Sequence, residues 1–371
     1  MKYALVIMAL VLLLVSGCSQ FSPQPSVNSS VKDPALAKIS LPPGFKISLF
    51  ADNLGNPRFM LVRDNIVYVA SMNEGIVYAL SDADNDSVAD KAVIFIDNLD
   101  GPSSIDYFDG WFYIGETTEV TKVRSSDGLH ADLNSSQSII QLPGDGEHIT
   151  RTVRINNNFL FISIGSDCNV CKESSLWRAG IIRCGLDGKN CEVFASGLRN
   201  SVGLEFDSLT NIFYATENGR DYLGDDLPPD EINIIEQGNN YGWPYCYGNN
   251  LHDSEFDKSD NPCVNDTPAF IELQAHSAPL GLLMYRDSVF PAEYSGTLFV
   301  AYHGSWNRQV PTGYKVVNVD PDTRQVSDFA TGWLQADGKV LGRPVGIALY
   351  KGALLVSDDS TGKIYRIYYQ Q

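Results

Sequence analysis

The chain has 371 residues, a formal charge of −18 and 44% hydrophobic residues. An acidic chain without a basic cluster lacks the positive charge that nucleic acid or an anionic lipid surface demands of a partner, so both are excluded as ligands. Length and apolar content together suffice for one large buried core.

Residues 1–17 stand apart from the fold. Lys2 precedes an apolar run from Ala4 to Val15, too short to span a bilayer with these flanks and typical of a signal peptide. The run ends Leu14-Val15-Ser16-Gly17-Cys18, which resembles a bacterial lipobox in which Cys18 is acylated and becomes the mature N-terminus. Residues 18–38 are rich in Ser, Pro and Asn and read as a flexible tether. The expectation is an exported protein, lipid-anchored to the cell envelope membrane, with residues 39–371 as its soluble domain in the periplasm or outside the cell.

That domain repeats itself. Copies open near Asn56-Pro57-Arg58, Gly101-Pro102-Ser103, His148-Ile149-Thr150-Arg151, Gly197-Leu198-Arg199-Asn200, Ala278-Pro279-Leu280-Gly281 and Gly342-Arg343-Pro344-Val345. Each runs into an apolar strand, a turn on Asp, Asn or Gly, and a second β-branched or aromatic strand. Examples are Ile66 to Ala70, Gly75 to Leu80, Trp111 to Ile114, Phe159 to Ile164, Asn211 to Ala215, Thr297 to Ala301 and Ala353 to Val356. Six multi-strand repeats of roughly 45–50 residues predict an all-β, six-bladed β-propeller. The last strand, Lys363 to Tyr369, is expected to close the ring near Phe45 to Phe50, which removes exposed sheet edges.

Two Gly-, Pro- and Asp-rich excursions, from Glu217 to Glu231 and from Tyr247 to Phe270, and the short segment His303 to Arg308 leave this scaffold where binding residues tend to sit. Setting Cys18 aside leaves six cysteines, an even number that suits disulfides in an oxidising compartment. Spacing favours Cys184 with Cys191 and Cys246 with Cys263. Cys168 and Cys171 can pair with each other or form a redox or metal pair; Lys172, where a His would be needed, argues against haem attachment.

Equivalent repeat openings meet at one central channel, so His148, Arg199, Asn200 and Arg343 should be neighbours. An imidazole there titrates near neutrality and can take a proton from a hydroxyl. Guanidinium groups aimed into a channel call for an anion, and carboxylates fit their fork; Arg58 is a weaker candidate of this kind. Oxygens of the Glu217–Glu231 loop suit Ca²⁺. The alternating acids from Asp82 to Asp90 have Ser87 and Val93 where an EF-hand needs Gly and Glu, and read as a solvated turn.

Together, Gly197-Leu198-Arg199-Asn200, Glu217-Asn218-Gly219-Arg220, Asp230-Glu231-Ile232-Asn233 with Asn240-Tyr241-Gly242-Trp243-Pro244, and His303-Gly304-Ser305-Trp306-Asn307-Arg308 resemble the quinoprotein glucose/sorbosone dehydrogenases. Cys168-Asn169-Val170-Cys171 and the segment Leu223 to Asp230 are most similar to the sorbosone dehydrogenase-like branch. The resemblance implies a six-bladed propeller that binds pyrroloquinoline quinone (PQQ) with Ca²⁺ and oxidises an aldose or sugar aldehyde, passing electrons to an external acceptor. It implies His148 as the base on the sugar C1 hydroxyl, and Arg199 with Asn200 as the groups polarising the quinone. Arg343 would grip PQQ carboxylates, and His303 or Arg308 would stand in for a lysine that contacts the cofactor. Backbone carbonyls of Gly219 and Arg220 would ligate Ca²⁺, and Asp230, Glu231 and Tyr241 match a region that holds further Ca²⁺ in some members. Soluble glucose dehydrogenases place an Asp beside the catalytic His, where this chain reads Gly165-Ser166-Asp167. Two other readings suit such a ring: a metal-dependent sugar lactonase and a non-enzymatic binding propeller.

Overall fold

The computed structural model describes residues 33–259 and 262–370. The expected signal peptide and lipobox, with Cys18, therefore lie outside the described residues. The end of the expected tether is described and is packed onto the body: Ala35 is buried and the Asp33 carboxylate lies 3.1 Å from Lys363 Nζ.

Among the described residues, six four-stranded antiparallel sheets form the blades of a propeller. Their innermost strands are Pro57–Arg63, Ser104–Phe108, Arg151–Asn156, Leu204–Phe206, Pro279–Met284 and Pro344–Tyr350. Each lies against the innermost strands of the two adjacent blades, which closes the ring. The sixth blade joins both ends of the chain: Phe45–Ala51 pairs antiparallel with Lys363–Tyr369, so the closing sheet is the last blade and not the first. No described helix is long and apolar enough to cross a membrane.

The strands follow the apolar runs of the sequence to within one residue at their starts, except for one two-residue displacement. The run read from Asn211 forms its strand at Phe213–Glu217, because Asn211 adopts a left-handed turn conformation with φ of 60°. Between blades, aromatic and branched side chains fill the wedges. Phe45 packs edge-on against Phe290 and Phe329 at 4.8 and 4.9 Å, which cements the last two blades.

At Gly203 and Gly346 neighbouring innermost strands approach closely, and Thr and Ser hydroxyls join the blades there. Thr216 Oγ1 accepts the Gly203 N–H and donates to the Leu280 carbonyl of the next blade. Ser357 Oγ does the same between Gly346 and the Arg58 carbonyl. A Cβ on Gly203 would come within 2.1 Å of the Leu280 oxygen, so a glycine is required for the strands to approach. The inner ring is thus tightly bonded, and the segments that enter it from one end are held in fixed relation.

All three cysteine pairs are disulfides: Cys168–Cys171, Cys184–Cys191 and Cys246–Cys263. This settles the choice left open for Cys168 and Cys171. The acidic run at Asp82 is a turn braced from the last blade, with Lys351 Nζ 2.8 Å from the Asp82 carboxylate.

Candidate functional site

The segments that precede the innermost strands meet at one end of the ring around a cavity of about 260 Å³. His148, Arg199, Asn200, Gly219, Asp230 and His303 all line it, together with Arg58 and Asp221. Four of these, Arg58, His148, Arg199 and Asn200, come from the openings of the first, third and fourth repeats, and the other four from the excursions.

His148 is held by its Nδ1, which lies 2.9 Å from the Ser166 carbonyl and 3.0 Å from the Ser166 hydroxyl. A carbonyl only accepts, so Nδ1 carries the proton and Nε2 keeps its lone pair. Burial and the nearby Arg199 charge push the imidazole down to about 4, so the ring is neutral at pH 7. The orienting group is thus a carbonyl; the Asp167 carboxylate makes no hydrogen bond to this ring. Gly165 lets His148 and Asn200 approach: a Cβ there would sit 2.5 Å from His148 Cβ and 2.7 Å from Asn200 Oδ1.

Arg199 is buried at 5% exposure and fully bonded. Its Nη1 donates to the Asn218 and Gly219 carbonyls at 3.2 and 2.9 Å. Its Nη2 lies 3.3 Å from the Asp221 carboxylate, and its Nε donates to the Asn169 carbonyl at 2.8 Å. The Asn200 main chain is fixed by Glu217, whose carboxylate accepts its N–H at 2.9 Å.

Asp230 and Glu231 are consecutive strand residues and face opposite ways. Asp230 lines the cavity and accepts the N–H groups of Gly219 and Ala278, each at 2.9 Å. Glu231, Tyr241 and Arg220 line an adjoining smaller cavity with Glu217. There Glu231 accepts the Gly248 N–H, the Tyr241 hydroxyl donates to the Ile234 carbonyl, and Arg220 pairs with Asp253 at 2.6 Å. Burial pushes Glu217 up to about 8, and Asp230 and Glu231 to about 7.

On the opposite wall, Asp359 bridges two lining residues. Its carboxylate takes Arg58 Nη1 at 2.7 Å and His303 Nε2 at 2.9 Å. Burial opposes that charge, but the bonds from His303 and Arg58 hold the carboxyl down at about 2. Arg58 Nε and Asn307 Oδ1 are buried without a protein partner, and both residues line the cavity. Unsatisfied buried polar atoms of this kind mark a place for a polar ligand.

Arg343 and Arg308 do not line the cavity. Arg343 donates to the His303 and Gly304 carbonyls at 3.2 and 2.6 Å and stacks over Tyr314. Arg308 binds the Asp225 carbonyl and the Asp226 carboxylate. Both guanidinium groups brace the excursions. At the rim Trp306 is 67% exposed, edge-on to Tyr222. Asp359 escaped the sequence reading because it is one acid among many; Asp221 lay inside the Glu217–Glu231 loop, and Trp306 inside a quoted motif, neither with a role of its own.

The fold is a six-bladed β-propeller with a polar, titratable cavity at one end of its channel. The sequence matches the TrAA12-like family over residues 39–370, and the chain belongs to that family. An uncharacterised protein of Borreliella burgdorferi is 36% identical over 90% of this chain and 91% of its own length. The pyrroloquinoline quinone-dependent pyranose dehydrogenase of Coprinopsis cinerea is 26% identical over 59% of this chain, a match that spans 39% of that enzyme. The calcium structure of a Trichoderma reesei protein of carbohydrate-active enzyme family AA12 superposes with a TM-score of 0.80 at 20% identity, over 93% of this chain and all of that one.

Proposed function

We propose that this protein oxidises an aldose or sugar aldehyde with PQQ and Ca²⁺, and passes the electrons to an external acceptor. The observation that carries the reading is the convergence of a neutral His148, with a bare Nε2, on a cavity that also holds Arg199, Asn200 and an incompletely bonded Arg58. The family and the Coprinopsis relative support it.

The residues present fit both groups. A polycarboxylate finds donors in Arg58 and Asn200 and the positive charge of Arg199, and His303 stands beside Arg58. Arg58 and His303 thereby take the gripping role expected of Arg343. The carbonyls of Asn218 and Gly219 and the Asp221 carboxylate already converge on one positive charge, that of Arg199. Such oxygens are the hard donors that Ca²⁺ takes. Glu231 and Tyr241 line the adjoining cavity beside the carbonyl-bearing turn at Gly219 and Arg220 and would serve a further ion there, whereas Asp230 faces the main cavity.

When bound, the quinone supplies the hydride acceptor. His148 Nε2 would take the proton of the sugar C1 hydroxyl, with Ser166 holding the ring in the required tautomer. Asn200 would present its amide, and Arg199 its buried positive charge, where negative charge grows, and their fixed positions spare reorganisation at that moment. The site lies within an exported domain, and the lipid anchor at Cys18 would keep that domain at the envelope membrane.

Absorbance tests the reading. Purified protein mixed with PQQ and Ca²⁺ should develop a bound-quinone spectrum that an aldose bleaches. Absence of binding, or binding without bleaching across a panel of aldoses and sugar aldehydes, would overturn it.

A further inference from the structure

The Cys168–Cys171 disulfide closes a short turn at the edge of the cavity. Neither cysteine lines the cavity, yet the turn touches both groups given chemical roles. Asn169, inside it, accepts from Arg199 twice: its carbonyl takes Nε at 2.8 Å and its Oδ1 takes Nη2 at 2.9 Å. The same Oδ1 accepts the Asp221 N–H at 2.8 Å, and Asn169 Nδ2 donates to the Asp221 carbonyl at 3.3 Å. On its other side, the Cys168 carbonyl accepts the Ser166 hydroxyl at 2.6 Å, and Ser166 holds His148 Nδ1.

An arginine side chain has many rotamers, and only fixed partners give its guanidinium one aim. Two of the three Arg199 nitrogens bond to Asn169. Asn169 belongs to no strand, so a ladder does not hold it in place. Its position depends on the covalent closure of the turn. We infer that Asn169, presented by the disulfide-closed turn Cys168–Cys171, is a positioning residue that sets the aim of the Arg199 guanidinium in the cavity. Its catalytic consequence rests on the function proposed above.

Nitrogen-15 NMR of the cofactor-free protein gives the first readout. Arg199, identified by signals lost in Arg199→Lys, should show slow guanidinium rotation about Nε–Cζ. Asn169→Ala should rotate at least tenfold faster, and so should the Cys168→Ser, Cys171→Ser double variant. Asn169→Asp, which keeps the Oδ1 acceptor, should restore slow rotation. In protein loaded with PQQ and Ca²⁺, Asn169→Ala should lose kcat by on the order of 10²-fold with KM nearly unchanged. Circular dichroism melts check that each variant is folded. Unchanged guanidinium rotation in folded Asn169→Ala would overturn the proposal, as would an unchanged kcat in a wild-type background that turns over. If the wild type binds no PQQ, the functional reading fails, and the rotation measurement still decides the role of Asn169.

Discussion

His148 and Ser166 are bound to each other twice, through the carbonyl and the hydroxyl of the serine, and that pair of contacts decides which imidazole nitrogen is free. With the ring pushed down to about 4, its neutral form is complete above about pH 5. The activity should therefore be flat from neutrality down to about pH 5 and fall about tenfold per pH unit below pH 4, where the base is protonated. His148→Ala should bind PQQ and lose turnover. Removing the neighbouring charge with Arg199→Ala should move the His148 midpoint upward. Proton NMR of the imidazole, free of any cofactor, checks that shift; a midpoint that stays put would remove Arg199 from the explanation.

Gly165 lies against both His148 and Asn200, and a methyl group on it would meet each at under 3 Å, at 2.5 and 2.7 Å. Gly165→Ala should cost about 1–3 kcal/mol of stability by overpacking. It should reduce kcat by on the order of 10²-fold, because base and polarising amide are pushed apart. Retention of full activity would show that the spacing of these two side chains is unimportant.

Trp306 stands exposed at the rim beside Tyr222. An indole face there suits the apolar face of a sugar ring. Trp306→Ala should raise KM about 3- to 10-fold and leave kcat within about threefold, the pattern of lost uniform binding. A fall in kcat at constant KM would place Trp306 in the chemical step instead.

The repeat register brought out His148, Arg199 and Asn200 because each sits shortly before an innermost strand, where the fold itself fixes the backbone. The same register does not fix where the Arg343 side chain points. It places the Arg343 backbone at the ring, but a long side chain can turn, and this one turns to the His303 and Gly304 carbonyls. Asp359 was illegible for the opposite reason. Its partners Arg58 and His303 come from the first and fifth blades, and no local pattern announces such a meeting. The Cys184–Cys191 and Cys246–Cys263 pairings were legible because each closes a local loop.

Asp359 should also be needed for stability. Asp359→Asn removes the carboxylate between Arg58 and His303 and leaves the Arg58 charge buried without its partner. The expected cost is about 3 kcal/mol, read as a lowered denaturation midpoint. An unchanged midpoint would show that Arg58 finds another partner.

Below the site, Glu205 sits within the ring of innermost strands near Arg154 and Asp106, and burial pushes it up to about 7. The folded protein therefore holds a proton there that the unfolded chain releases above about pH 4.5. Its contribution is complete below that value and is lost as pH rises through 7. Wild-type protein should thus lose on the order of 1–3 kcal/mol between pH 5 and pH 8.5 relative to Glu205→Gln. Parallel melting curves for the two proteins would refute this assignment.

The sixth blade is stitched from opposite ends of the polypeptide, residues Phe45–Ala51 and Lys363–Tyr369. Until the last few residues have been delivered, the N-terminal strand has nothing to pair with, and two raw sheet edges stay open to other chains. A nascent or truncated copy is therefore vulnerable to aggregation until the ring locks.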